Sequence, residues 1–218
     1  MAIVTDVELL VAMITWIAFA IRVIRSCEAA YQSEVTYVQA ATFGSATTYL
    51  WMVVALLLAA LAGSLPHKIA IAIMLITLIL QSRADAAYGI VWEELTLPAL
   101  LVCGVCAVAA GTTEVALTGF SLGGILIAVA YYGTNGKGIG FPDIGIAALV
   151  GMTVGYFGLA IAMTATLLYA CFCLMRGASR KAAVPYATIL APAAYLASAV
   201  VLLLPHAGYP LLPGMVQL

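Results

Sequence analysis

The chain has 218 residues, of which 66% are hydrophobic and 8% charged, and its net charge is −1. No soluble domain of this length can enclose so much apolar surface, and a near-neutral balance gives no sign of a nucleic-acid partner. The composition predicts an all-α polytopic membrane helix bundle of about six to eight spans, one domain over residues 1–218, in contact with lipid.

The N-terminus (MAIVTDVELL) lacks a basic leader region and a small-residue cleavage site, so it reads as an uncleaved first span, about Val7–Ile24, closed by Arg22 and Arg25. Residues 26–46 are the most polar stretch and predict a short loop. The second span is expected over Thr48–Leu65, with a turn at Pro66, His67 and Lys68. A third runs over Ile69–Leu80 and ends in Gln81, Ser82, Arg83 and Asp85. Leu95–Ala110 and Val115–Tyr132 are the next apolar runs, separated by a tight turn at Gly111–Glu114. A glycine-rich loop, Gly133–Asp143, precedes the uncharged run Ile144–Met175. Arg176, Arg180 and Lys181 follow, and Val184–Leu204 is the last span.

Basic residues favour cytoplasmic loops. Arg22 and Arg25 then place the first loop inside, and alternation brings Arg83, Asp85, Lys137 and Asp143 to the same side. The run 144–175 is too long for one crossing: its 32 residues make about 48 Å of helix against an apolar core of about 30 Å. One straight span would also put Arg176, Arg180 and Lys181 outside. A short helix to about Val154, a break near Gly155 and a returning span resolve both conflicts.

The chain has only three aspartates, and Asp6 is near the N-terminus. Asp85 closes one apolar run and Asp143 opens another. An ionisable residue at mid-depth in a span costs roughly 2.5–3.5 kcal/mol, so its default reading is functional. Two such carboxylates point to an aspartyl hydrolase, in which one acts as base and the other as acid. The five cysteines, including the Cys103/Cys106 CxxC, sit mostly in apolar runs and read as packing residues. His67 and His206 fall on the opposite face, and neither they nor any other pattern implies a metal or cofactor. Ser121 lies in GFSLG, an accidental match to the nucleophile elbow, since no strand precedes it.

Gly138-Ile-Gly-Phe-Pro-Asp143 is followed by Gly151 and Gly155, eight and twelve positions after the aspartate. The first glycines permit close backbone passage, and the GxxxG pair permits close helix packing. Asp85 is followed ten positions on by Leu95-Thr-Leu-Pro98. This pair of segments resembles the type IV prepilin peptidases, membrane aspartyl proteases of the GxGD type. That family carries its first aspartate before LPDxLTLP and its second in GxGxGDxKL with glycines at the same two intervals. Val184-Pro-Tyr186 looks like the family's IPFGP segment. The resemblance covers roughly residues 80–200. There are departures. Pro142 replaces the glycine before the second aspartate, Gly145 a lysine, Val91-Trp92 a leucine-proline, and Glu93 an aspartate. The paired CxxC motifs of longer members are absent, so this looks like a short form, and N-methylation is not expected.

The resemblance implies removal of the short basic leader from prepilin or pseudopilin substrates at the cytoplasmic face of a bacterial inner membrane. Asp85 and Asp143 would be the catalytic pair, activating water without a covalent intermediate. Two adjacent carboxylates release their protons in separate steps, so activity should follow a bell-shaped pH profile. Glu93, Glu94 and Gly140 are candidate substrate-binding residues, the two glutamates through the basic leader. The glutamates are equally placed to favour the start of the next helix, and Lys137 reads as an interfacial anchor. The alternatives are a small proton-coupled carrier with Asp85 and Asp143 as proton sites, a presenilin-like protease, and a catalytically dead assembly partner. Against the second, Ala84 rather than tyrosine precedes Asp85; for the third stands Pro142.

Overall fold

The computed structural model describes residues 2–32, 46–136, 139–175 and 186–206. They form seven helices and no strand: α1 Ala2–Gln32, α2 Ala46–Ala60, α3 Leu65–Tyr88, α4 Glu93–Ala109, α5 Thr113–Gly133, α6 Phe141–Met175 and α7 Tyr186–His206. Five of them, α1, α3, α5, α6 and α7, are long and apolar enough to cross a membrane, and α2 is a shorter apolar helix. The protein is an all-α polytopic membrane bundle. Its outer faces carry residues that water would not tolerate in such numbers, among them Leu57, Leu101, Val129 and Leu168, each more than 60% exposed.

Helix α3 is the central post. Every residue from Ala70 to Gln81 is buried, and α3 packs on α1, α2, α4, α6 and α7. A helix apolar on all sides is what such a position requires. The apolar windows of α1 and α5 are 28% and 22% buried against 78% for α3, so those two helices lie at the periphery.

Several predicted boundaries move. Residues 26–32 belong to α1, not to a loop. Pro66, His67 and Lys68 form the first turn of α3, where proline lacks only a donor that had no intrahelical partner. The α2–α3 turn is the preceding Leu61–Ser64 segment. Asp85 falls inside the last turns of α3, which Gly89 ends in the left-handed conformation (φ 66°) with its N–H on the Asp85 carbonyl at 2.8 Å. The helix expected from Asp143 begins two residues earlier, at Phe141, so Asp143 falls inside the first turn of α6. Lys137, Gly138, Arg176, Arg180, Lys181, Val184 and Pro185 lie outside the described residues.

The break expected near Gly155 is present. Gly155 has φ 70° and ψ 177°, a conformation open essentially to glycine alone. Before it, α6 runs antiparallel to α5, with Gly119 against Gly151 and Gly123 against Ala147. After it, the chain runs antiparallel to α7: Met163 Sδ accepts from Tyr186 Oη at 3.6 Å, and Gly158 lies by Val201. Because α7 begins beside Asp85, the second half of α6 returns to the end of the bundle from which the first half set out. The GxxxG glycines thus do two different things. Gly151 admits α5, while Gly155 turns the chain.

Candidate active site

The two aspartates reach one place from opposite chain directions. Asp85 arrives near the C-terminal end of α3, one turn beyond the buried Gln81. Helix α7 meets it end-on: the Thr188 backbone N–H donates to Asp85 Oδ2 at 3.1 Å. Thr188 is the third residue of α7, so this N–H has no acceptor within its own helix. A carboxylate from α3 therefore caps the start of α7.

Asp143 caps its own helix. Its Oδ2 accepts the Gly140 N–H at 2.7 Å, and its N–H donates to the Gly140 carbonyl at 3.1 Å. With Gly140 just ahead of α6, Asp143 sits where the acid of a capping box belongs. Pro142 occupies the second position of α6, where no intrahelical acceptor awaits its missing donor. Gly145 lies against α4: a Cβ there would come within 3.2 Å of the Thr96 methyl.

Both carboxylates are buried, 8% exposed for Asp85 and 6% for Asp143, and Asp143 lies within range of the Asp85 charge. Tyr186 at the start of α7 is also within range of Asp143. Two helix N-termini converge on the pair, each bringing partial positive charge and one backbone donor to an Oδ2. Two buried carboxyls that feel one another's charge ionise less readily together than apart.

Glu93 and Glu94 occupy the first turn of α4, both exposed, with acid charge at the favourable end of the helix. The Cys27 thiol of α1 lies within range of the Glu94 charge, which brings the Arg22 and Arg25 end of α1 to the aspartate end of the bundle. Gly140 is exposed, and its N–H is committed to Asp143. At the opposite end, His67 is buried between Ser64 Oγ on Nδ1 at 2.7 Å and Thr112 Oγ1 on Nε2 at 3.4 Å. Cys103 is buried, its Sγ 3.5 Å from the Ala70 carbonyl. Among the described residues, no three His, Cys, Asp or Glu side chains are placed to hold a metal ion. Ser121 is exposed on α5, and the two glycines of its GFSLG are the ones that admit α6.

Comparison with models of known families, with characterised proteins and with solved structures finds no match for this chain.

Two residues at the site were missed by sequence reasoning. Gln81 is fully buried one turn before Asp85, and its amide ties α3 to Trp92 and Thr96 of α4. A lone amide in an otherwise apolar run, four residues before an acid, was the available signal. Thr188 is 103 residues from Asp85 in sequence, and no spacing rule reaches that far.

Proposed function

We propose that this chain is a membrane aspartic endopeptidase of the type IV prepilin peptidase kind, cutting a short basic leader from prepilin-like proteins. One observation carries the reading. The two buried aspartates, separated by 58 positions in sequence, come together at one end of the bundle with a helix N-terminus on each. A pair used only for capping would have no reason to lie within range of one another's charge.

In the proposed reaction, the ionised aspartate takes a proton from water. The protonated aspartate donates to the scissile carbonyl as the tetrahedral intermediate forms, and then proton flow reverses to release the amine. The exposed Glu93 and Glu94 receive the basic leader at the same end. The Arg22, Arg25 and Arg83 side of the bundle is this same end, which favours a cytoplasmic location in a bacterial inner membrane. Pro142 is compatible with activity, because the Gly140 N–H still reaches Asp143.

The test is co-expression with a panel of prepilin-like substrates, following leader removal by gel shift, with Asp85→Asn and Asp143→Asn alongside. Asparagine keeps an oxygen acceptor for the capping N–H, so both variants should fold. Cleavage by the wild type that is lost in both variants is the expected result. Cleavage that survives either substitution would remove the dyad mechanism. Proton flux without cleavage, abolished by the same substitutions, would move the chain to the carrier class.

A further inference from the structure

The Thr188 hydroxyl carries one proton and stands between two acceptors. Its Oγ1 is 3.0 Å from the Ser82 carbonyl and 3.4 Å from Asp85 Oδ2, while the Thr188 N–H holds the same Oδ2 at 3.1 Å. Ser82 is three residues before Asp85 on α3, so the carbonyl and the carboxylate flank the hydroxyl from one helix. The backbone N–H can only donate, so it serves the ionised carboxylate and cannot turn to serve the protonated one. The hydroxyl can serve both, because it donates and accepts.

We propose that the Thr188 hydroxyl is a positioning group that follows the charge of Asp85. When Asp85 is ionised, the hydroxyl turns its proton to Oδ2. When Asp85 is protonated, Oδ2–H donates to Oγ1, and the hydroxyl sends its own proton to the Ser82 carbonyl. No proton leaves Thr188 in either state. Asp85 thereby keeps a satisfied hydrogen bond on both sides of the proton transfer, which a buried carboxyl otherwise loses in one of them. Of the charged groups around it, Asp143 faces Asp85 from α6. Arg83 is two residues back on α3 with its guanidinium on Thr47 of α2 at 2.7 Å, and Glu93 and Glu94 begin α4. None of these offers a hydroxyl that can reverse its bond. Thr188 also stands where the IPFGP segment has its second proline, a residue with neither N–H nor hydroxyl, so the device belongs to this chain rather than to the resemblance.

The inference rests on Asp85 changing charge during turnover, as the proteolysis reading requires, and two readouts keep the two ideas apart. The first is cleavage kinetics of Thr188→Val and Thr188→Ser in the full-length protein. Valine should lower kcat about tenfold or more with KM unchanged, and serine should restore most of it. The second needs no substrate. In infrared spectra of the purified protein in lipid nanodiscs, the carboxyl C=O band that vanishes in Asp85→Asn should shift in Thr188→Val and return in Thr188→Ser. Thr188→Ala serves in place of valine if the latter is not monodisperse. A band unmoved by loss of the hydroxyl, or full kcat in the valine variant of a cleaving enzyme, overturns the proposal. A shifted band in a protein that cleaves nothing would sustain the Thr188–Asp85 pairing while removing the proteolysis reading.

Discussion

Gln81 holds Trp92 through both sides of one amide. Its Oε1 accepts the Trp92 N–H at 2.9 Å, and its Nε2 donates to the Trp92 carbonyl at 2.6 Å and to Thr96 Oγ1 at 3.0 Å. Trp92 is the residue that opens α4, and its own side chain supplies no cap. The start of α4 is therefore fixed from α3, one turn away from Asp85, and Thr96 carries that registration to Gly145, two residues past Asp143.

Gln81→Leu should expose the value of this bond. The leucine fits the apolar surroundings but removes the acceptor of the buried Trp92 N–H, at about 1–3 kcal/mol, while the Thr96 hydroxyl keeps its bond to the Trp92 carbonyl at 3.3 Å. We expect a lower melting temperature in detergent and altered fluorescence from Trp92. If the proposed proteolysis holds, leader cleavage should fall by more than the loss of folded protein explains, because α4 is set against both aspartate-bearing helices. A variant with unchanged melting and activity would mean that α4 is placed by apolar packing alone.

The α5–α6 contact predicts a sharp contrast among glycines. A Cβ on Gly119 would overlap the Gly151 carbonyl, and one on Gly151 would overlap the Gly119 carbonyl. Backbone cannot yield as a side chain can, so Gly119→Ala and Gly151→Ala should each destabilise by about 1–3 kcal/mol or more. At Gly133 a methyl group would meet nothing within 4 Å, and φ is ordinary, so alanine should be accepted there with little change. Thermal melts of the three variants in one lipid system check this, and equal melts would refute the close approach.

Gly155→Ala should act differently from either. Here the backbone itself is at issue: φ 70° and ψ 177° are closed to a residue with a Cβ, at about 1–3 kcal/mol. The relief available is to straighten α6, which would carry Met175 away from the aspartate end. Cysteine labelling at position 175 from either side of the membrane reads this directly. Accessibility from the aspartate side in the wild type, lost in Gly155→Ala, is the expected outcome.

How much of this was legible in the sequence follows from what sets each feature. Membrane character and the positions of the apolar runs are properties of composition, so α5 and α7 were placed within a few residues. The break at Gly155 was legible because length, charge and glycine spacing all demanded it. Helix ends were less so: α1 continues through Ser26–Gln32 and α3 through Asp85, because polar residues at a membrane surface remain helical when no breaker intervenes. Asp85 and Asp143 stood out as rare charges beside apolar runs. Their capping partners did not, since Thr188 N–H and Gly140 N–H are backbone groups that every sequence possesses, and only the fold decides which ones face a carboxylate.

The last prediction separates capping from catalysis at Asp143. Asp143→Asn retains an acceptor for the Gly140 N–H, whereas Asp143→Ala removes it. Alanine should therefore cost about 1 kcal/mol of stability that asparagine largely spares. Under the proposed proteolysis, cleavage should respond in another order: both variants should lose about 10²–10⁴-fold, because neither can exchange a proton at pH 7. Asp85→Asn should behave as Asp143→Asn does, since an amide oxygen can still accept from Thr188. If cleavage instead tracked stability, falling for alanine and persisting for asparagine, Asp143 would be a helix cap and nothing more.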